Sequence, residues 1–441
     1  MSQYFHLNNG QKSNYKVAYT NAKLINPKKR TEFIGDLITD GKNILDFDQS
    51  LATKYNLQEI SDEIIDCKGK ILMPGLVDLH VHLREPGQEH KETVETGSKS
   101  AAVGGVTTVV CQPNTTPPLD NLVTFGYLKY RANETAYVNV ESYAAVTQSG
   151  KNLAPLESLY EAGAVGFTDD GLPVSNSFLM KQALLYSEKL KVPIAQHAED
   201  LFLSHGGCMN EGKISTTLSV PGIPNASEAV IVARDLLILE ETGGHYHILH
   251  TSTKEALELI AKAKERGLKV TCEVTPHHLL LNEEEVLGYN TYAKMNPPLR
   301  SEEDRLAMIE GLKSGIIDCI ATDHAPHEIE AKDTDLESAA FGIVGLETLL
   351  PLSLELYHNG TMSLMDVLAN LTYKPAEIIN KPYGVLEKGA PADLILVDID
   401  REWTIDTSKF MSKSKNSPFH GRKVKGKVLR TIVNGKTVYI E

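Results

Sequence analysis

From Leu72 onward, short apolar runs rich in Val and Ile alternate with longer stretches of helical period. This alternation is the signature of repeated strand–helix units that build a parallel sheet. Eight runs are predicted as strands: Leu76 to His80, Thr107 to Cys111, Val138 to Tyr143, Val165 to Thr168, Pro193 to Gln196, Tyr246 to Leu249, Lys269 to Val274 and Ile316 to Ala321. Two of the helical stretches are well marked. Ser227 to Thr242 opens with Ser227-Glu228 near its N-cap, and Thr253 to Arg266 has Gly267 just past its end, where a C-cap glycine sits. Eight such units over roughly 300 residues predict an α/β fold of the TIM-type (β/α)8 barrel class.

The two ends of the chain carry another pattern. Lys16 to Tyr19, Asp36 to Thr39 and Glu63 to Asp66 are short strands separated by Asn, Gly and Asp turns. Asp393 to Val397, Lys427 to Val433 and Lys436 to Tyr439 repeat the pattern, and Asn434-Gly435 is a tight-hairpin signal. The two sets are expected to pair as one small β-sandwich domain. The predicted division is 1–72 and 381–441 for that domain and 73–380 for the barrel. Residues 1–14 are polar and expected to be poorly ordered.

The residues just past each barrel strand carry the chemistry. After the first come His80, His82 and Arg84, after the second Gln112-Pro113-Asn114, and after the fourth Asp169-Asp170. The fifth leads into His197, the sixth into His250, the seventh into Thr275-Pro276-His277-His278 and the eighth into Asp323-His324. Metal-competent side chains thus collect at the C-terminal ends of strands, the face where barrel active sites are built. His80 and His82, two apart on a strand, point to one face and can reach one point in space. Arg84 continues the parity and offers a cation to a substrate carboxylate. Alone, a His-x-His pair serves equally well as two hydrogen-bonded residues at a strand end. His245-Tyr246-His247 repeats the motif, but those histidines fall early in their strand, at the wrong end, and are assigned to packing. His277 and His278 are assigned to support behind the ligands or to packing.

Composition narrows the picture. A formal net charge of −14 argues against a nucleic-acid surface, although one buried arginine can still bind an anion locally. No apolar run approaches the ~20 residues needed to span a membrane. The N-terminus lacks the basic and apolar regions of a secretory signal, and the five cysteines are scattered without a Cys-x-x-Cys pair. Both features suit buried thiols in a reducing cytoplasm. The basic run Lys413 to Lys427 is assigned to a solvated face.

Gathered together, His80, His82, Asp170, His197, His250 and Asp323 supply imidazoles and carboxylates for a pair of borderline-soft divalent ions, zinc first. One ion would take His80, His82 and Asp323, and the other His197 and His250. A carboxylate after strand four has two oxygens with which to bridge them, and spacing does not choose between Asp169 and Asp170. A bound metal lowers the pKa of water to about 7, which supplies hydroxide at neutral pH. Asp323 beside it can take a proton on attack and return it to a departing nitrogen, a contribution typically worth ~10²–10⁴-fold. The reaction class is hydrolysis of an amide-like bond.

The order of segments resembles that of the amidohydrolase superfamily, and within it the class I dihydroorotases. The matching segments are His80-Val81-His82-Leu83-Arg84-Glu85-Pro86-Gly87, Gln112-Pro113-Asn114, Thr168-Asp169-Asp170-Gly171 and His197-Ala198-Glu199-Asp200. They continue with Lys294-Met295-Asn296-Pro297-Pro298-Leu299-Arg300, Ala321-Thr322-Asp323-His324-Ala325-Pro326-His327 and Phe341-Gly342-Ile343-Val344-Gly345. The resemblance implies metal ligands at His80, His82, Asp170, His197, His250 and Asp323, and a catalytic acid/base at Asp323. It implies contacts to dihydroorotate from Arg84, Asn114, Asn296 and His327, with Phe341 and Gly342 on a loop over the site. It also implies reversible conversion of dihydroorotate to N-carbamoyl-L-aspartate in pyrimidine biosynthesis, with zinc, a homodimer and a cytoplasmic setting.

Hydantoinases and allantoinases also resemble the chain, but their bridging ligand is a carbamylated lysine after strand four. The segment Gly163 to Val174 contains no lysine. An aspartate there, with Arg84 to hold a carboxylate bidentately, favours dihydroorotate over a neutral ring. Activity on another cyclic amide is the alternative. A third reading is a structural partner of aspartate transcarbamoylase, the role of some dihydroorotase-like chains that resemble this one but have lost metal ligands; retention of all six candidate ligands argues against that as a sole role. Residues 328 to 342 are expected to form a mobile lid.

Overall fold

In the computed structural model, residues 4–5 and 15–441 are described. The strand Leu76–Val81 pairs in parallel with Val106–Cys111, and that strand with Asn139–Ser142. Pro193–Gln196, His245–Ile248, Val270–Val274 and Cys319–Ile320 form a second parallel run in that order. Single bridges join the two runs. Phe167 pairs with both Ala144 and Ile194, and His324 pairs with Val81, which returns the circuit to its first strand. These strands are buried almost throughout, as expected of parallel strands covered on both faces.

Two predicted strands are shorter than their apolar runs. At Val165 to Thr168 only Phe167 bridges its neighbours, although Val165 N and Thr168 N donate to Ser142 O and Ala144 O, and Phe167 N to Pro193 O. The turn at Asp169-Asp170-Gly171, closed by Leu172 N donating to Asp169 O, ends the ladder there. The eighth strand begins late because Gly315, at φ +80°, and the bond from Ile317 N to Gly311 O hold Ile316-Ile317 in the bend that closes the preceding helix.

The helices Ala226–Thr242 and Lys254–Glu265 match their predicted stretches. Thr253 caps the second by accepting from Ala256 N, and Gly267 follows its end at φ +80°. The first has Asn225 at its N-cap without a side-chain cap bond, and the Glu228 carboxylate turns instead to Ser252 and Thr253.

The chain ends share one nine-stranded sheet. Leu394–Thr404 runs antiparallel to Ile71–Pro74, which pairs in parallel with Lys16–Asn26. Lys423–Val433 and Lys436–Ile440 form a hairpin whose turn, Asn434-Gly435, has φ of +50° and +74°. Ile395, Val397 and Val428 pack in one core with Ala101, Ala102 and Val106 of the strand–helix region. Val17, Tyr19, Leu37, Leu394 and Ile432 enclose a separate core of the sheet's own. The expectation for residues 1–14 falls outside the described residues, except that Tyr4–Phe5 pair with Tyr439–Ile440.

The basic run near the C-terminus corrects one assignment. Lys413, Lys423 and Lys425 are exposed, but Ser414, Asn416 and Ser417 between them, and Ser412 just before, are buried. Residues 410–417 are a strap tied to the strand–helix region through Glu92 and Glu347. All five cysteines are buried and free, and no helix among the described residues is long and apolar enough to cross a membrane.

Candidate metal centre and substrate cavity

The strand ends bring the six candidate ligands together. Asp170 lies between two groups of imidazoles. Its Oδ2 is 3.2 Å from His80 Nε2 and 3.4 Å from His82 Nε2, while its Oδ1 is 3.4 Å from His250 Nε2 and 3.5 Å from His197 Nδ1. Asp323 Oδ1 is 3.1 Å from His82 Nε2 and 3.4 Å from His80 Nε2. His80, His82 and Asp323 form one group with ligand atoms within 4.8 Å of one another, and His80, Asp170 and His250 form another. Asp169, the open alternative, turns away and accepts from Thr147 N and Oγ1.

Three residues of the site carry left-handed backbone. Arg84 (φ +61°), His250 (φ +31°) and Asp323 (φ +49°) all occupy the left-handed region, which costs a non-glycine residue of order 1–3 kcal/mol. Each stands just past a strand end, where leaving the pleat turns the side chain toward the common centre.

The outward nitrogens of the histidines are also held. His82 Nδ1 donates to Asn114 Oδ1 at 2.9 Å, and His197 Nε2 lies 2.8 Å from Glu199 Oε2. His80 Nδ1 lies 2.6 Å from Glu273 Oε1, a fully buried carboxylate on the strand Val270–Val274. Glu273 Oε2 is 3.3 Å from His247 Nε2, and a buried chain continues through Thr271 Oγ1 to His245. Such partners fix a ligand's ring orientation and tautomer. Neither Glu273 nor Glu199 stands out in the sequence pattern as a site residue. A glutamate inside an apolar strand was the available signal, since an unpaired charge is rarely buried. His245 and His247 stay out of the centre, as assigned, but His247 buttresses Glu273. His278 is structural: its Nε2 reaches the carbonyls of Pro297 and Pro298. His277 is buried, with Nε2 unpartnered.

Electrostatics test whether a cation fits. Burial opposes ionisation of Asp170 and Asp323, yet the surrounding imidazoles outweigh it and hold both carboxyls below the ordinary range. Burial likewise disfavours charge on His197, but Asp170 and Glu199 push its imidazole up to about 10, and His80 is raised by Asp170, Asp323 and Glu273. A pocket that draws protons onto buried imidazoles is one that accommodates positive charge. Asp170 Oδ1 is buried without a hydrogen-bond partner. An imidazole–carboxylate donor set with an unsatisfied oxygen at its centre fits divalent metal of the zinc type.

Above this centre lies a cavity of about 240 Å³. Its lining includes Arg84, Asn114, Asn296, His327, Phe341 and Gly342, together with Asp170 and Asp323. Arg84 donates from Nε to Pro326 O at 3.3 Å and lies 3.4 Å from His327 Nε2 through Nη2. Asn296 Nδ2 donates to Glu199 Oε2 at 3.0 Å. The groups on display are a buried cationic fork and side-chain amides facing a metal-competent centre of imidazoles and carboxylates.

The architecture recurs in known hydrolases. L-Hydantoinase from Arthrobacter aurescens superposes with a TM-score of 0.86 at 28% identity, covering 96% of each chain. The chain therefore has the amidohydrolase fold, and with this site it is a hydrolase. A family model described as dihydro-orotase-like matches residues 69–256. Proteins called dihydroorotase from Wolbachia sp. subsp. Drosophila simulans (strain wRi) and Ehrlichia canis (strain Jake) are 63% and 60% identical over 434 residues, with 98% of this chain and 97–98% of theirs aligned. The chain belongs to the dihydroorotase family.

Proposed function

We propose that the chain is a class I dihydroorotase, which hydrolyses (S)-dihydroorotate reversibly to N-carbamoyl-L-aspartate in de novo pyrimidine (UMP) biosynthesis. The observation that carries this reading is Arg84 in one cavity with Asp170 and Asp323, where no lysine is available after strand four. Arg84 binds the C6 carboxylate through the donors left free by Pro326. Asn114, Asn296 and His327 hold the ring, and Phe341-Gly342 close over it. Asp323 accepts a proton from the attacking water and returns it to the ring nitrogen as the amide C–N bond breaks. A pair of zinc ions, one held by His80, His82 and Asp323, the other by His197 and His250, with Asp170 between them, would lower the pKa of water and polarise the amide carbonyl.

Arg84→Ala is expected to abolish most dihydroorotate turnover, with assays on dihydrouracil and hydantoin in parallel. Unchanged turnover of dihydroorotate, or faster turnover of a neutral ring by the unaltered protein, would remove this reading. Metal analysis of protein purified without chelator should find zinc; metal-free protein that stays inactive after zinc addition would favour a purely structural role. Ring opening creates a carboxyl of pKa ~4 that ionises at neutral pH. Each unit of rising pH should therefore favour hydrolysis about tenfold at equilibrium, and acid should favour closure.

The closed strand circuit supports a TIM-type (β/α)8 barrel over residues 73–380, with 1–72 and 381–441 as a small β-sandwich domain around its own core. A homodimer is supported by Val123, Tyr127 and Tyr130, exposed along one face of the helix Leu122–Thr135. Sedimentation at the mass of a single chain would exclude it. Association with aspartate transcarbamoylase and a cytoplasmic setting belong to the same proposal, and co-sedimentation with that enzyme tests the first.

A further inference from the structure

Lys332 is fully buried on the short helix Ile329–Lys332, at the start of the loop expected to cover the site. Its ammonium donates to the carbonyls of Lys294 (3.0 Å), Ala340 (2.7 Å) and Gly342 (3.2 Å). Burial and the neighbouring Lys294 cation drive its amine down to about 7. Lys294 is buried as well, and its Nζ donates to Leu336 O (2.8 Å) and Glu337 O (2.9 Å) while lying 4.3 Å from the centre of the Phe341 ring. Gly342 N closes the pair by donating to Lys294 O at 3.0 Å.

Two neighbouring buried cations are an expensive way to hold a loop, because neither is offset by a carboxylate contact among the described residues. What a lysine uniquely offers is three donors on one atom, able to gather carbonyls from separate segments. Here the gathered carbonyls come from the 336–342 loop and from Lys294, which precedes Asn296 by two residues. Gly342 O also accepts from Asn416 Nδ2 at 3.0 Å, and Asn416 Oδ1 accepts from His327 N at 3.1 Å. The cation therefore ties together three parts of the substrate cavity: Phe341-Gly342, His327 and the approach to Asn296.

We propose that Lys332, with Lys294 as its partner, is a positioning residue for substrate, a latch that holds the Phe341-Gly342 side of the cavity in its ring-binding geometry. This rests on the reading of that cavity as the dihydroorotate site. The latch touches no reacting atom, so its removal should weaken substrate capture more than chemistry, and it should leave the metal centre intact.

The test is Lys332→Met in the full-length zinc-loaded protein, with Arg84→Ala alongside. KM for dihydroorotate is expected to rise by about tenfold to a hundredfold, the range that a misplaced positioning group costs, with a smaller change in kcat and unchanged zinc content. Limited proteolysis within 328–342 should accelerate, and saturating dihydroorotate should restore protection. Lys294→Met should do the same by freeing Leu336 and Glu337, which keeps the test open if Lys332→Met fails to fold. Wild-type KM and wild-type loop cleavage in a folded variant would overturn the latch. So would loss of activity that only follows the folded fraction at unchanged KM. If Arg84→Ala leaves turnover intact, the reading of the cavity fails instead, while accelerated cleavage in Lys332→Met would still show the latch on the loop.

Discussion

The centre of the site depends on residues whose function comes from their neighbours. Glu273 holds His80 Nδ1 and is itself held by His247, and the two imidazoles keep its carboxyl near 2 against the opposing effect of burial. Replacing Glu273 with Gln keeps the shape but removes the charge that orients His80. Metal affinity is expected to fall about 10–100-fold, measured by competition with a chromogenic chelator; unaltered affinity would make the pair merely structural. Five of the six candidate ligands are legible in the sequence because metal-competent side chains recur where one apolar run after another stops, whereas the choice of Asp170 over Asp169 rests on the family resemblance. Glu273 is hidden because it stands inside such a run and its partner His80 lies 193 positions away. Arg84 is legible as a cation, but its left-handed backbone is not, since nothing in His80-Val81-His82-Leu83-Arg84 announces that the strand parity ends before it.

At the scale of elements, the alternation of apolar runs carries most of the strand order, and the shortfalls arise where hydrogen bonding stops before hydrophobicity does. The 328–342 segment shows the converse. Its Glu, Lys and Asp content suits a mobile lid but does not reveal that Lys332 is drawn inward by backbone carbonyls. The strap at 410–417 is hidden similarly, because the serines and Asn416 that make its contacts resemble loop residues. The terminal hairpin is the opposite case: Asn434-Gly435 is read from two letters. A Cβ at Gly435 would lie 1.8 Å from Gly41 O, and its φ of +74° disfavours a side chain in any case. Gly435→Ala should therefore destabilise the protein by more than about 1 kcal/mol, seen as a lower urea midpoint. Because the hairpin is remote from the cavity, kcat of the folded fraction should not change.

For the molecule as a whole, the strap joins the two ends of the sheet to the strand circuit through buried acids. Glu347 accepts from Ser100 Oγ, Met411 N and Ser412 N, and burial, only partly countered by these donors, raises its carboxyl to about 7. The folded state thus binds a proton that the unfolded chain has released. The stability this contributes is full below about pH 4.5, the ordinary glutamate range, and is lost as pH rises through about 7. Glu347→Gln keeps the accepting oxygen and removes the titration. Relative to wild type, the variant should gain of order 1–3 kcal/mol between pH 5 and pH 8, read from urea unfolding at both values. A constant difference across that range would place the titration elsewhere.

The interleaved sheet has a consequence for how the protein is made. Ile71–Pro74 is synthesised roughly three hundred residues before its antiparallel neighbour Leu394–Thr404. Throughout that interval the N-terminal strands present a bare edge, the kind of surface that invites pairing with other chains. Only the segment from Leu394 onward covers it, and the same segment brings Asn416 to His327 and Gly342. Completion of the fold and completion of the site are therefore the same late event, and a nascent chain interrupted before Leu394 lacks both.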